Sequence, residues 1–247
     1  MCPLNLLYST TTLKRETTAQ HNHKKSGGSL TKITRGLILD TGWRYDLMEW
    51  FFDSFLFRGK LRELRQRTID LAHIQTGEKV LDVGCGTGTL AMEVAPLVGT
   101  TGRVCGIDPG DHQIARARSK AARLNLPVEF QLGVIEHIDF PDQTFDVVLS
   151  TIMMHHLSER LKRQGLAEIV RVLKPGGRLV IADFKRPEDR SQQPVRFGVG
   201  GSRIEDLASL VRDTGFSQVE TEELQLQRFP AHSAGFAGFV SAKKPTS

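Results

Sequence analysis

Cysteine is scarce in this chain of 247 residues. There are three, Cys2, Cys85 and Cys105, widely spaced and without a C-x-x-C pair. That excludes a disulfide framework and a clustered zinc site, and it fits a reducing compartment. No apolar run approaches the ~20 residues a membrane helix needs. No Gly-Lys-Ser/Thr follows the one glycine-dense turn after a strand-like run, so a P-loop is excluded. That turn also lacks the G-x-G-x-x-G spacing of a dinucleotide site. His, Cys, Asp and Glu form no metal-ligand spacing, so no metal is expected. An Asn/Asp-Pro-Pro-Tyr/Phe string is absent as well.

The net charge of +5 suggests nucleic acid at first sight. Its distribution points elsewhere. Residues 1–35 hold Lys14, Arg15, Lys24, Lys25, Lys32 and Arg35 against Glu16 alone, so the remainder is formally neutral. A nucleic-acid footprint needs a basic patch on a folded face. Here the charge belongs to a Ser-, Thr-, Gly- and Lys-rich stretch without periodicity, which reads as a disordered extension. Its low acidity leaves a mitochondrial transit peptide as the alternative, and the start lacks the basic segment of a secretory signal. A cytoplasmic location is expected, with the mitochondrial matrix as the alternative.

Residues 36–78 change character. Trp43, Tyr45, Trp50, Phe51, Phe52, Phe55 and Phe57 crowd together. Leu61, Leu64, Ile69 and Leu71 then alternate with Arg62, Arg65 and Arg67. This reads as amphipathic helix. It would pack on a sheet edge, form an apolar lid over a site, or lie against a membrane surface.

From residue 79 to 247 short apolar runs alternate with helical patterns. The pattern predicts strands at 79–83, 103–108, 127–132, 145–150 and 178–183, and helices at 88–98, 111–124, 158–172 and 202–214. A final strand pair is expected at 218–227 and 236–243. Such alternation means βαβ units and a mostly parallel sheet with helices on both faces. Lys174-Pro175-Gly176-Gly177 reads as a turn ahead of the fifth strand.

The stretch Val80-Leu81-Asp82-Val83-Gly84-Cys85-Gly86-Thr87-Gly88 reads as strand, glycine turn and helix start. Its glycines allow backbone to pass close to a ligand. Asp108 ends the second strand about twenty residues later, where a carboxylate can accept hydrogen bonds from both hydroxyls of a ribose.

Four segments together resemble class I S-adenosylmethionine (SAM) dependent methyltransferases. They are Val80–Gly88, Val104–Asp108, Phe145–Ser150 and Leu173–Val180. The resemblance implies a Rossmann-like seven-stranded sheet with an antiparallel C-terminal hairpin, and SAM as cofactor. It implies that Gly84, Gly86 and Gly88 pack on the methionine part and that Asp108 holds the ribose. Asp82, Cys85, Pro109, Gln113, Val134, Ile135 and Ser150 complete the expected cofactor set. Two positions depart from the family. Gly133-Val134-Ile135 replaces the usual Gly-Asp-Ala, leaving backbone groups for the adenine amine. Gln113 stands where an apolar residue is usual.

Tyr45-Asp46-Leu47-Met48 and Ala182-Asp183-Phe184-Lys185 look similar to the ubiquinone/menaquinone C-methyltransferase branch, whereas Ser150–Leu157 is closer to generic small-molecule methyltransferases. His155 and His156 follow the fourth strand, where an imidazole could take a proton from a phenol, enol or amine. On an extended backbone neighbours alternate sides, so only one would enter the cleft; His155 is the preferred base. The alternative is a positioning or structural role. Tyr45 is a second catalytic candidate. The expected activity is methyl transfer to a small, hydrophobic or aromatic molecule at O, N or C. A quinone or phospholipid head-group enzyme, or a SAM-binding module without transfer, are the alternatives. Nucleic acid is not an expected partner; peripheral membrane contact through residues 36–78 is.

Overall fold

A computed structural model describes residues 60–185, 203–224 and 236–246. Tyr45, the aromatic stretch 43–57 and the loop 186–202 lie outside these residues. The described elements are α1 (Lys60–Ala72), β1 (Lys79–Val83), α2 (Thr89–Val98), β2 (Arg103–Asp108), α3 (Asp111–Arg123), β3 (Val128–Leu132), β4 (Phe145–Thr151), α4 (Glu159–Val172), β5 (Leu173–Lys185), α5 (Ile204–Asp213), β6 (Ser217–Leu224) and β7 (Phe236–Lys243).

The seven strands form one sheet in the order β3-β2-β1-β4-β5-β7-β6. β1 pairs in parallel with β2 and β4, and β7 runs antiparallel between β5 and β6. The central strands are continuous apolar runs because both faces are covered. Leu81, Val83, Val148, Leu179 and Ile181 share a core with α4 and α5. Val80, Val147, Leu149 and Val180 pack on the other face with α2 and α3. α5 shows why it forms where it does: Ile204, Leu207, Ala208 and Val211 give the i, i+3, i+4, i+7 stripe, and all four are buried. In α4 the Ser158 hydroxyl accepts the Leu161 N–H and caps the first turn.

α1 lies on the sheet rather than ahead of it. Its Leu64 joins Ala182, Ala237 and Phe239 in a third cluster over β5 and β7. Arg178 clamps the end of α1, donating to the Ala72 carbonyl at 2.8 Å and to Glu78.

Two local expectations need correction. Lys174–Gly177 is not a connection ahead of a strand. β5 already begins at Leu173, opposite Phe145, and the next partners are Val147 and Arg178, so the four residues bulge out within the strand. Gly176, at φ +75°, supplies the left-handed residue, and its N–H donates to the Lys244 carbonyl. The chain after β4 is not extended either: Met154–His156 form a 3₁₀ turn. The alternation argument for the two histidines therefore does not apply.

Candidate active site

The carboxyl ends of β1, β2, β4 and β5 converge on one region, where open α/β sheets bind their ligands. Its first part is the glycine turn after β1. Gly84, Gly86 and Gly88 all adopt positive φ, at +74°, +52° and +79°. A Cβ on Gly84 would sit 2.5 Å from Met153 Cγ, and one on Gly88 would collide with the Phe130 ring. The glycines are thus demanded by conformation and by close packing together.

Four of the turn's amides are spent within the protein. Gly84 and Cys85 N–H both donate to the Ile107 carbonyl, at 2.8 and 3.0 Å, and Gly88 N–H donates to Cys85 O. Gly86 N–H donates to Asp108 Oδ2 at 3.0 Å. A phosphate-cradling loop presents such groups to its ligand; this one presents shape and negative charge. Asp108 is held from two sides, since the Gly110 N–H at the head of α3 donates to its Oδ1 at 2.9 Å.

Asp82 supplies the second carboxylate. It is 1 % exposed, and neither oxygen has a hydrogen-bond partner. Burial, reinforced by the charge of Asp108, pushes its carboxyl up to about 7; the Ala91 N–H in α2 tempers this without closing a hydrogen bond. Such a group needs a cationic donor to ionise comfortably. The same two carboxylates, with burial acting first, push the Cys85 thiol well up. That thiol is turned into the core beside Gly106 and donates to the Gly86 carbonyl at 3.7 Å.

The remaining expected cofactor residues are placed as follows. Pro109 is half-buried behind Asp108, and Gln113 is buried in the first turn of α3. Val134 and Ile135 follow β3, with both side chains buried; Ile135 packs so closely on Gly165 of α4 that a Cβ there would stand 2.5 Å away. Only their backbone remains for a ligand. The Ser150 hydroxyl is sealed in β4 without a partner.

The second part of the site follows β4. Ile152 turns the chain with φ +51°, a left-handed conformation that a β-branched residue adopts only under strain. Its N–H is fixed by the Ala182 carbonyl at 2.8 Å. The turn lays Met153 against Gly84, buries Met154 completely and carries His155 to Asp183 on β5. His155 donates its backbone N–H to Asp183 Oδ2 at 2.7 Å, and its Nδ1 lies 2.6 Å from Oδ1. The Phe184 N–H also donates to Oδ1, at 2.8 Å. The two side chains are 2 % and 1 % exposed. His155 Nε2 makes no hydrogen bond, yet it is not sealed from solvent as Nδ1 of His156 is. The His156 ring lies 3.8 Å from that of His155; burial first, then the neighbouring imidazole, push it down to about 4, against the pull of Asp183. His156 is therefore neutral at ordinary pH.

Asp183 is the functional candidate that sequence reasoning missed. It was visible in Ala182-Asp183-Phe184-Lys185 as a charge inside an apolar strand run, which is rarely buried without a partner.

Comparison with known proteins decides what this site belongs to. Residues 80–177 match the methyltransferase domain family. Those residues carry a methyltransferase domain. Over 158 residues it is 34 % identical to the ubiquinone/menaquinone biosynthesis C-methyltransferase of Geobacter sulfurreducens, covering 63 % of this chain and 59 % of that one. The Pseudomonas putida enzyme of the same name is 34 % identical over 149 residues, covering 60 % and 56 %. The chain thus spans under three fifths to about three fifths of these relatives' length. Among solved structures, a SAM-dependent methyltransferase from Aquifex aeolicus superposes with TM-score 0.59 at 27 % identity, covering 72 % of this chain and 88 % of that one. The [4+2]-cyclase SpnF shares the fold with TM-score 0.64 at 24 % identity, covering 75 % and 82 %.

SAM is the cofactor of such a domain, and the methyltransferase residues fit it. The unpartnered Asp82 carboxyl suits an ammonium group. The amide-poor glycine turn suits a sulfonium ligand better than a pyrophosphate. Asp108, fixed by two backbone N–H groups, suits a ribose diol.

Proposed function

We propose that this protein transfers the methyl group of SAM to a small, apolar or aromatic acceptor, with His155 as the base. The observation that carries the reading is the 3₁₀ turn after β4. One of its ends rests on the glycine turn through Met153, and the other presents an imidazole whose Nδ1 is held by Asp183 and whose Nε2 is bare. SAM supplies an already electrophilic methyl group. The chain has to bind it, align the acceptor, exclude water and take one proton at His155 Nε2. Alignment alone is worth up to about 7–11 kcal/mol in well-oriented systems, and proton removal about 10²–10⁴-fold.

The nature of the turn supports an apolar acceptor. The Phe184 ring lies 5.4 Å from that of His155, Ile152 and Met153 precede the turn, and His156 carries no charge at neutral pH. Relatives named for ubiquinone and menaquinone C-methylation make a quinol one member of this acceptor class. Tyr45 and the aromatics at 43–57 are proposed to wall the acceptor or to touch a membrane surface; no described helix is long and apolar enough to cross one. The cytoplasm is the proposed setting.

Calorimetry with SAM, followed by methyl transfer from radiolabelled SAM to phenols, quinols, amines and lipid head groups, tests the proposal. Binding together with transfer to an aromatic acceptor is expected. Binding without transfer to any class would establish a SAM-binding module instead.

A further inference from the structure

Asp183 makes three contacts that only a carboxylate can satisfy together. Oδ2 accepts the His155 N–H, and Oδ1 accepts the Phe184 N–H and faces His155 Nδ1 at 2.6 Å. All three partners are donors when Nδ1 carries a hydrogen, so the arrangement selects the tautomer in which Nε2 is bare. The pair is buried, and among the described residues the charges near it are few. Lys162 of α4 is within reach of the Asp183 field but is half-buried, and burial depresses it against the pull of Asp183, Glu159 and Asp206. His156 stands beside the ring as a neutral group. A proton arriving at Nε2 therefore makes an imidazolium compensated by one buried carboxylate, at a position with little water to take the charge away.

We infer that Asp183 is a positioning residue which fixes His155 as an Nδ1–H, Nε2-basic imidazole, and that the acceptor is a weakly acidic hydroxyl compound, a phenol or an enol. The inference rests on the methyl-transfer reading. In the step, Nε2 takes the hydroxyl proton. The electron pair released on oxygen, or through the ring on an ortho carbon, forms the new bond to the methyl group of SAM. The carbon–sulfur bond breaks with its electrons going to sulfur, leaving a neutral thioether. On a ring carbon, loss of that carbon's proton to solvent restores aromaticity. The imidazolium, steadied by Asp183, returns its proton to solvent. An acceptor already ionised in solution has little use for such a base, and a quaternary amine has no lone pair to take the methyl group.

Two measurements on the full-length chain test this. In protein labelled with ¹⁵N-histidine, the His155 signal, assigned by its absence in His155→Gln, is expected to show a protonated Nδ1 and a bare Nε2. In Asp183→Asn the side-chain amide must turn one N–H toward a donor, so the Nδ1–H tautomer is expected to lose its dominance. The second measurement is single-turnover transfer from saturating SAM to phenols of graded acidity. Asp183→Asn is expected to be slower by about 10²–10⁴-fold on weakly acidic phenols and by less than about tenfold on nitrophenols ionised at the assay pH, with SAM affinity and circular dichroism unchanged. A defect equal across the series would overturn the positioning role and leave Asp183 as a structural brace. A dominant Nε2–H tautomer in the unmodified protein would overturn it without any acceptor. Transfer to amines alone would overturn the hydroxyl assignment. If SAM does not bind at all, the methyl-transfer reading fails, while the tautomer measurement still decides the role of Asp183.

Discussion

Asp82 and Asp183 are both buried carboxyls, and they differ in their partners. Asp183 accepts two backbone N–H groups and faces His155 Nδ1; Asp82 has no hydrogen bond and is pushed up to about 7. The sign of the consequence follows. Below about 7 the carboxyl of the free protein holds its proton, and a cationic ligand has to displace it. SAM affinity is therefore expected to rise with pH up to about 7, steepening toward about tenfold per unit below that value, and then to level off. Asp82→Asn should bind weakly at every pH and show no slope. Stability moves the other way. The folded value of Asp82 lies above its ordinary one, so the folded state holds the proton longer, and stability falls as pH rises between about 4 and 7. Asp82→Asn should consequently unfold at a higher temperature than the unmodified protein at pH 8. Calorimetric titrations and melting curves across this range check both slopes. A flat affinity profile would mean that the ammonium group is held elsewhere.

At the scale of elements, the glycine turn and the turn after β4 act as one unit, because Met153 fills the space a Gly84 side chain would need. Gly84→Ala is expected to weaken SAM binding by more than about tenfold and to destabilise the fold by about 1–2 kcal/mol, since it adds a clash to a left-handed backbone position. Met153→Ala in the same chain makes room but leaves the backbone at φ +74°, so it should restore only part of the loss. A double-mutant cycle in SAM affinity and stability measures this coupling. The strands and helices were legible in the sequence because buried parallel strands and one-sided helices leave clear apolar patterns. The turn after β4 was not. No pattern in Ser150–Leu157 announces that Ile152 takes a left-handed conformation, since the hydrogen bond that holds it comes from Ala182, thirty residues away. The bulge at Lys174–Gly177 was hidden for a similar reason: the Pro-Gly-Gly string was readable, but its pairing with Lys244 near the far end of the chain was not.

Across the whole molecule the sheet separates two tasks. Asp82 lies between Leu81 and Val83, on the face covered by α2 and α3; Asp183 follows Ile181 onto the face of α4 and α5. In the proposed reading, cofactor capture belongs to the first face and proton removal to the second, and the strand ends join them. The family, the fold and the cofactor could be read from four short motifs, because each motif is a run of residues adjacent in sequence. The acceptor could not, because His155 gains its orientation only from a residue on another strand. Single-turnover methyl transfer and SAM affinity, measured side by side for the unmodified protein and His155→Gln, test this division most directly. The division predicts a SAM dissociation constant changed by less than about threefold and a transfer rate lowered by about 10²–10⁴-fold. A variant that transfers at the unmodified rate, or that no longer binds SAM, would contradict it.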